Sequence, residues 1–290
     1  MGSCGLFVGL TTLDLIYGVS QLPQPNRKQT ATEMAIAAGG PATNAAVAFR
    51  HLGNRAILLS ALGAHPLADL VRADLAAQGI ECVDLAPHRT EPPPLSAVMV
   101  TPSNGDRAVV SRNALDLQVD ARLPSDLDLA SVDIVLADGH QLGASLAVAQ
   151  KVRTNGVPIV LDGGSWKPHL DTLLPLIDYA ICSADFFPPG CQTAMEVIQY
   201  LQQAIAQPQI AITQGGEPIF YHDRGVSGLL NVPPIQPVDT LGAGDAFHGA
   251  FCHGILQTHF VAALEQAAAI AALACQSFGT RQWLQMLQAH

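Results

Sequence analysis

Asp239-Thr240-Leu241-Gly242-Ala243-Gly244-Asp245 is the most informative stretch of this chain, because it joins a proline-rich run to an Ala-rich segment with helical spacing. Two glycines separated by one alanine allow a tight turn that brings backbone N–H groups close to a ligand. At a helix N-terminus those N–H groups lack partners, and the helix dipole adds partial positive charge. The stretch therefore predicts an anion site, for phosphate above all. An ordinary strand-to-helix turn capped by Asp245 is the alternative.

Asp245 is a candidate catalytic base. A carboxylate directly behind a phosphate site can accept the proton of a hydroxyl that attacks the phosphate. Because the helix dipole favours the ionised form, we expect a weak base. A loose phosphoryl-transfer transition state needs little early deprotonation, so a weak base is sufficient there.

Composition and charge limit the classes of protein to consider. The 290 residues are 49% hydrophobic and 13% charged, which suits one large α/β domain or two small ones. The net charge is −10 with scattered Lys and Arg, which argues against nucleic acid or an anionic membrane as partner. No apolar run reaches the length of a membrane span and no signal peptide is evident, so we expect a cytoplasmic location. The six cysteines are far apart and predict reduced thiols, while the ten histidines are not spaced as metal ligands.

The order of strands and helices predicts the fold class. After Pro124, strand and helix segments alternate, which predicts an α/β fold with a mainly parallel sheet covered by helices on both faces. Two segments, about 11–37 and 95–113, do not alternate in this way. They predict exposed strands that form a small β lid outside the main core.

A second Gly-rich motif lies at Gly39-Gly40-Pro41-Ala42-Thr43-Asn44. The glycines allow close backbone approach and a helix begins just after them. Asn44 on its first turn can donate and accept hydrogen bonds, which matches a sugar hydroxyl. Local capping by Thr43 or Asn44 is the alternative. Asp14 is the one charge in its segment and could bind two neighbouring hydroxyls of a polyol, although a solvated turn Asp is the simpler interpretation of that residue alone.

These motifs, in this order, resemble those of the PfkB (ribokinase-like) family of carbohydrate kinases, and the resemblance covers nearly the whole chain. In detail it is closer to ketohexokinase and the sulfofructose kinases than to ribokinase, because no lysine follows the Gly39-Gly40 pair. The resemblance implies a single kinase domain over residues 1–290 with ribokinase-like fold. It also implies ATP-dependent phosphorylation of a hydroxymethyl group of a sugar or sugar-like polyol.

The resemblance implies a role for each matching position. Asp245 would be the catalytic base, with an anion hole at Gly242, Ala243 and Gly244. The residues expected to hold the substrate are Asp14, Gly40, Asn44 and Arg107. Those expected to contact the nucleotide are Ser183, Thr213, Gln214, Gly215, Gly216 and Cys275. ATP and Mg²⁺ are the implied cofactors, with a monovalent cation as a further candidate, and a homodimer joined through the lid is the expected assembly.

One region departs from the family pattern. Many members carry Asn-x-x-Glu after a mid-chain strand, where it helps to organise Mg²⁺ and phosphates. Here Ser183 stands at the Asn position and Phe186 at the Glu position, so no metal ligand is assigned. Two other functions remain open: a nucleoside kinase of the same fold, and a non-catalytic protein that senses a sugar or nucleotide.

Overall fold

Two β-sheets and the helices around them make up the fold in the computed structural model, which describes residues 2–112, 117, 119, 122–125 and 127–287. The strands are β1 (Cys4–Val8), β2 (Thr12–Gly18), β3 (Glu33–Gly39), β4 (Arg55–Ser60), β5 (Glu81–Asp84), β6 (Leu95–Thr101), β7 (Asp106–Arg112), β8 (Ile134–Ala137), β9 (Ile159–Gly163), β10 (Tyr179–Ser183), β11 (Gln209–Gln214), β12 (Glu217–Asp223) and β13 (Val226–Leu230). The α-helices are α1 (Pro41–His51), α2 (Pro66–Ala77), α3 (Leu142–Arg153), α4 (Ala194–Ala204), α5 (Ala243–Ile255), α6 (Phe260–Ala274) and α7 (Leu284–Leu287).

The larger sheet has nine strands in the order β13-β12-β11-β10-β9-β8-β1-β4-β5. All neighbours from β11 to β5 are parallel, and β12 and β13 add an antiparallel edge. Helices α1, α2, α5 and α6 share a core with one face, and α3 and α4 pack on the other. Because both faces are covered, β1, β8 and β9 are buried along their whole length. The predicted α/β class and mainly parallel sheet are confirmed.

The smaller sheet has four strands in the order β3-β2-β6-β7. The prediction that its strands are exposed was wrong for β2, which lies between β3 and β6. Ile16 of β2 is fully buried and packs in one cluster with Val98, Val100 and Phe278. The alternation of polar and apolar residues therefore marks a sheet with one covered face, as antiparallel pairs often have. Asn113, the last residue of the second predicted lid segment, lies outside the described residues.

Two strands of the larger sheet were not predicted. The four-residue β5 and the terminal β13 form the two edges of the sheet. β5 begins and ends with acidic residues, and β13 contains Ser227 and Gly228, so neither segment has the apolar run typical of a buried strand. All six cysteines are free thiols. Within the described ranges, none of the helices combines the length and the apolar character that crossing a membrane requires.

Helices α1 and α5 are in backbone contact, which decides where the candidate site lies. Gly249 of α5 is buried, and a Cβ placed there would collide with the carbonyl oxygen of Ala45 in α1. Asp245 precedes Gly249 by four residues and so shares its face of α5, and Asn44 directly precedes Ala45 in α1. Packing of α1 on α5 therefore brings the two Gly-rich motifs together.

Replacement of Gly249 by Ala tests this contact. The alanine methyl group would gain up to about 1 kcal/mol in helix propensity. Overpacking against the Ala45 backbone, which cannot rotate away, should outweigh that gain and lower the free energy of unfolding by about 1–3 kcal/mol. Urea unfolding without ligand measures the difference. Gly216→Ala is the control, because the space around that Cβ is open. A stabilised Gly249→Ala protein would show that the helices are not in contact.

Candidate active site

A cleft of about 200 Å³ lies between the N-terminal ends of α1 and α5 and the smaller sheet. Four predicted site residues line it: Asp14, Gly40, Asn44 and Asp245. Hydroxyl side chains from β2, β6 and β7 also line it, namely Thr12, Ser96 and Ser111. The cleft thus combines two carboxylates, an amide and three hydroxyls in a space of the size of a small polar ligand.

Asn44 and Asp245 are in direct contact at one end of the cleft. The Asn44 amide nitrogen donates to Asp245 Oδ2 over 2.8 Å. The Asn44 oxygen accepts from Arg281 Nη1 over 3.0 Å. Because arginine can only donate, it fixes which end of the Asn44 amide carries the oxygen. The nitrogen must then face Asp245, so the orientation of this amide is determined by its neighbours.

Arg281 is a site residue that the sequence did not indicate. Its guanidinium also donates to the carbonyl oxygen of Ala38 and, over 3.1 Å, to Asp74 of α2. Burial lowers its pKa from the ordinary value, and the Asp74 charge acts in the opposite direction. An arginine remains protonated in proteins, so a buried cation stands directly behind Asn44. Asp74 and Arg281 are far apart in sequence and match none of the motifs above, so no local pattern could have paired them.

Asp14 is buried within β2, so its interpretation as a solvated turn residue was wrong. Thr12 Oγ1 donates to Asp14 Oδ1 over 2.6 Å. Burial raises the pKa of the Asp14 carboxyl, and hydrogen bonds from Thr12 and Ser96 partly offset that effect. Gly39 has to lack a side chain, because a Cβ there would collide with the Asp14 carboxylate.

The expectation that Asp245 is a weak base was also wrong. The pKa of Asp245 is raised to about 6, first by burial and then by the charge of Asp162. The Asn44 hydrogen bond and His248 act in the opposite direction, and Asp14 adds a further increase. Loss of water and nearby negative charge thus outweigh the helix dipole, even though Asp245 lies in the first turn of α5, where the dipole acts. Asp245 is a stronger base than an ordinary aspartate.

The predicted anion hole lies at the first turn of α5. Gly242 has φ 73° and precedes the helix, and Gly40 with φ 99° has the same position before α1. The loop before Gly242 is fixed by Asp239, which accepts from the N–H groups of Leu241 and Gly279 over 2.8 Å each. Arg107 donates to Thr240 in that same loop. Its guanidinium therefore contacts the anion-hole loop.

The predicted nucleotide residues lie along the carboxyl edge of the larger sheet and beside it. Ser183 ends β10 and Thr213 lies near the end of β11, while Gly215 and Gly216 form the following turn. The Cys275 carbonyl accepts from the N–H groups of Val238 and Asp239, which joins the end of α6 to the anion-hole loop.

The segment that departs from Asn-x-x-Glu makes apolar packing contacts and hydrogen bonds to nearby backbone groups. Phe186 is buried, and its ring centroid lies 5.6 Å from that of Trp166. Ser183 Oγ donates to the Gly164 carbonyl and accepts from the Asp185 N–H group. The position of the family's glutamate is thus occupied by a core aromatic ring.

Similarity to known proteins extends over most of the chain. The model of the pfkB family of carbohydrate kinases matches residues 6–285. A ribokinase of Haemophilus influenzae is 26% identical over 86% of this chain and 84% of its own length. A mouse ketohexokinase is 23% identical over 84% of this chain and 86% of its own length. The crystal structure of an Agrobacterium tumefaciens protein assigned as a ribokinase superposes with TM-score 0.86 at 26% identity, over 100% of this chain and 98% of that one. These values give no support to the expected closer relation to ketohexokinase.

The raised pKa of Asp245 predicts a pH-dependent gain in stability when the carboxylate is removed. The pKa of Asp245 is about 6 in the folded protein, compared with 3.8 for an ordinary aspartate. The free energy of unfolding of the native protein therefore falls as the pH rises from 3.8 to about 6. Asp245→Asn should therefore raise the thermal midpoint at pH 8 and raise it less at pH 5, where the native carboxyl is already mostly protonated. Differential scanning calorimetry at the two pH values measures this. Asp69→Asn, an exposed aspartate, is the matched control. Equal gains at both pH values would contradict the raised pKa.

Proposed function

This chain belongs to the pfkB family of carbohydrate kinases, and from that premise we propose that it transfers the γ-phosphoryl group of ATP to a hydroxymethyl group of a sugar or sugar-like polyol. ATP-dependent phosphorylation of a sugar is the activity of its relatives and of the family. The observation that supports transfer to a hydroxymethyl group is the contact between Asn44 and Asp245 in a polar cleft at the N-terminus of α5.

Three groups would bind the sugar in this cleft. The Asp14 carboxylate would accept hydrogen bonds from two neighbouring hydroxyls, and Asn44 and the backbone at Gly40 would bind others. The hydroxymethyl group would then lie against Asp245, which is ionised above its pKa of about 6. Asp245 would accept the hydroxyl proton as the oxygen attacks phosphorus.

The N-terminus of α5 would hold the transferring phosphoryl group. The N–H groups of its first turn have no partners within the helix and point toward the cleft end of α5. Gly242, Ala243 and Gly244 present only backbone and one methyl group there, so an anion can approach closely. The remaining predicted contacts, with the nucleotide, are Ser183, Thr213, Gln214, Gly215, Gly216 and Cys275, and Arg107 would act through the anion-hole loop that it contacts.

The donor set fits a Mg²⁺ ion that is carried by the nucleotide. Among the residues that the structure describes, no group of three or more His, Cys, Asp or Glu side chains could hold a metal ion. Mg²⁺ commonly keeps several waters and binds through substrate phosphates, so we assign it no protein ligand. When bound it neutralises charge on the β- and γ-phosphates. A monovalent cation is a further candidate cofactor, and dependence of turnover on K⁺ tests it.

The smaller sheet would act as the lid over the sugar. It contributes Asp14, Ser96 and Ser111 to the cleft and would exclude water, which limits hydrolysis of ATP. Its other face exposes three large apolar side chains: Met34, Ile36 and Val110. Such a face suits a homodimer joined through the lid, in a cytoplasmic protein. Light scattering of native protein and of a Val110→Glu variant tests the dimer.

Asp245→Asn tests the proposed base. The asparagine keeps the shape and can still accept from Asn44, but it cannot take up a proton. We expect kcat to fall by about 10²- to 10⁴-fold, with ATP binding retained in calorimetry. The assay is ATP consumption with mass-spectrometric detection of the phosphorylated product. Undiminished turnover would contradict the assignment of Asp245 as the base.

A substrate panel decides between the proposed function and its rivals. Aldoses, ketoses and polyols are compared with nucleosides at equal concentration. Phosphorylation of a nucleoside alone would make the chain a nucleoside kinase, a function for which the cleft offers no aromatic side chain among its described lining residues. Tight sugar binding without any phosphorylated product would favour a sensor.

Asp14→Asn tests the sugar contact separately from the chemistry. The substitution removes the carboxylate charge of Asp14, which should weaken its hydrogen bonds to the sugar hydroxyls by about 1.5–3 kcal/mol. The KM for the sugar should rise by about ten- to a hundredfold, while the KM for ATP stays the same. A rise in the KM for ATP alone would place Asp14 at the other substrate.

A further inference from the structure

We propose that His248, as an imidazolium paired with Asp162, is a positioning residue for this phosphoryl transfer, because it holds the first turn of α5 and places a positive charge beside Asp245. The inference rests on the proposed function. His248 lies one helical turn after Gly244, and no motif discussed above gives it a role.

Both ring nitrogens of His248 face backbone carbonyls. Nδ1 lies 2.7 Å from the carbonyl oxygen of Gly244, and Nε2 lies 3.1 Å from that of Ile181. A carbonyl oxygen can only accept, and neutral imidazole has only one N–H group. Both hydrogen bonds therefore form only when both nitrogens carry a proton. The ring that satisfies this geometry is cationic.

A buried carboxylate provides the opposite charge. Asp162 Oδ2 lies 3.5 Å from His248 Nδ1, and the two side chains are 4% and 7% exposed. Among the described residues this oxygen has no hydrogen-bond partner. A buried carboxylate without donors is costly unless a cation lies beside it. Neutral His248 could donate to only one of the two carbonyls and would place no positive charge beside this Asp162 oxygen, whereas the imidazolium does both.

The pair acts on the anion hole through the Gly244 peptide. The peptide unit between Gly244 and Asp245 is planar and trans, so its carbonyl and the Asp245 N–H group point in opposite directions. Holding the Gly244 carbonyl toward His248 therefore holds the Asp245 N–H toward the cleft. The Ile181 contact anchors this turn to β10 in the middle of the larger sheet. His248 thus ties the phosphoryl-binding turn to a rigid element.

The two members of the pair act on the base in opposite directions. The charge of Asp162 raises the pKa of Asp245, and that of His248 lowers it. The other groups that act on Asp245 are Asn44 from α1, Asp14 from β2 and Arg281 from the segment before α7. Asp162 in turn interacts with three further groups, which are Asp138, Lys167 and His140.

Two variants separate the proposal from a purely structural role. The acid limb of the pH profile of kcat/KM should move to higher pH in His248→Asn, which loses the positive charge. It should move to lower pH in Asp162→Asn, which loses the negative one. The kcat of His248→Asn should fall at least tenfold with little change in the KM for the sugar. If neither acid limb moves, or both move in the same direction, the proposal fails.

A spectroscopic measurement decides the charge of the ring without any activity. The ¹⁵N spectrum of histidine-labelled native protein at pH 7 should contain one ring with two protonated nitrogens that is absent from His248→Asn, or from His248→Gln if the Asn variant does not fold. A neutral tautomer at His248 would overturn the proposal. The proposed function fails separately, if native protein phosphorylates no sugar or polyol, and the ring spectrum still tests the ion pair.

Discussion

The backbone contact between α1 and α5 is the constraint on which the rest of the site depends. Gly249 allows the two helices to approach until the Ala45 carbonyl and the Ala48 methyl group of α1 fill the space that a side chain would occupy. Each helix begins at the cleft after a glycine with positive φ. The approach therefore places two helix N-termini side by side, one at the proposed sugar end of the cleft and one at the proposed phosphoryl end. Their dipoles add positive potential to the cleft.

That potential matters because the side chains around it are acidic. Asp14, Asp162 and Asp245 lie near one another in a chain with net charge −10, yet the proposed second substrate is a polyanion. Two cations offset this negative charge. The Arg281 guanidinium donates to Asn44, and the His248 imidazolium lies beside Asp162. In the proposed function the carboxylates would face the hydroxyl substrate and the backbone N–H groups at the start of α5 would face the phosphate. Charge is thus separated between the two ends of one small cleft.

The sequence predicted the parts of this site that depend on local backbone geometry. Gly40, Gly242 and the residues after them could be recognised because a tight turn before a helix has a short and specific pattern. The parallel sheet could be recognised because strands and helices alternate. Features that depend on distant residues could not be recognised. The pairing of Arg281 with Asp74 joins the C-terminal region to α2. The raised pKa of Asp245 depends first on burial and then on Asp162, which lies at the end of β9 and reaches the site only through the order of strands in the sheet. For that reason the helix dipole, a local effect, gave the wrong direction.

Arg281 has a consequence for the order in which the site can form during synthesis. Asn44 lies in the first helix that the ribosome releases, and Asp245 follows much later, but the guanidinium that orients the Asn44 amide comes after both of them in the chain. Domains fold progressively from the N-terminus as translation proceeds. The nascent chain can therefore assemble most of the larger sheet before the Asn44 amide has the arginine donor that fixes its orientation. The orientation of this amide is therefore set only after the segment that carries Arg281 has been synthesised.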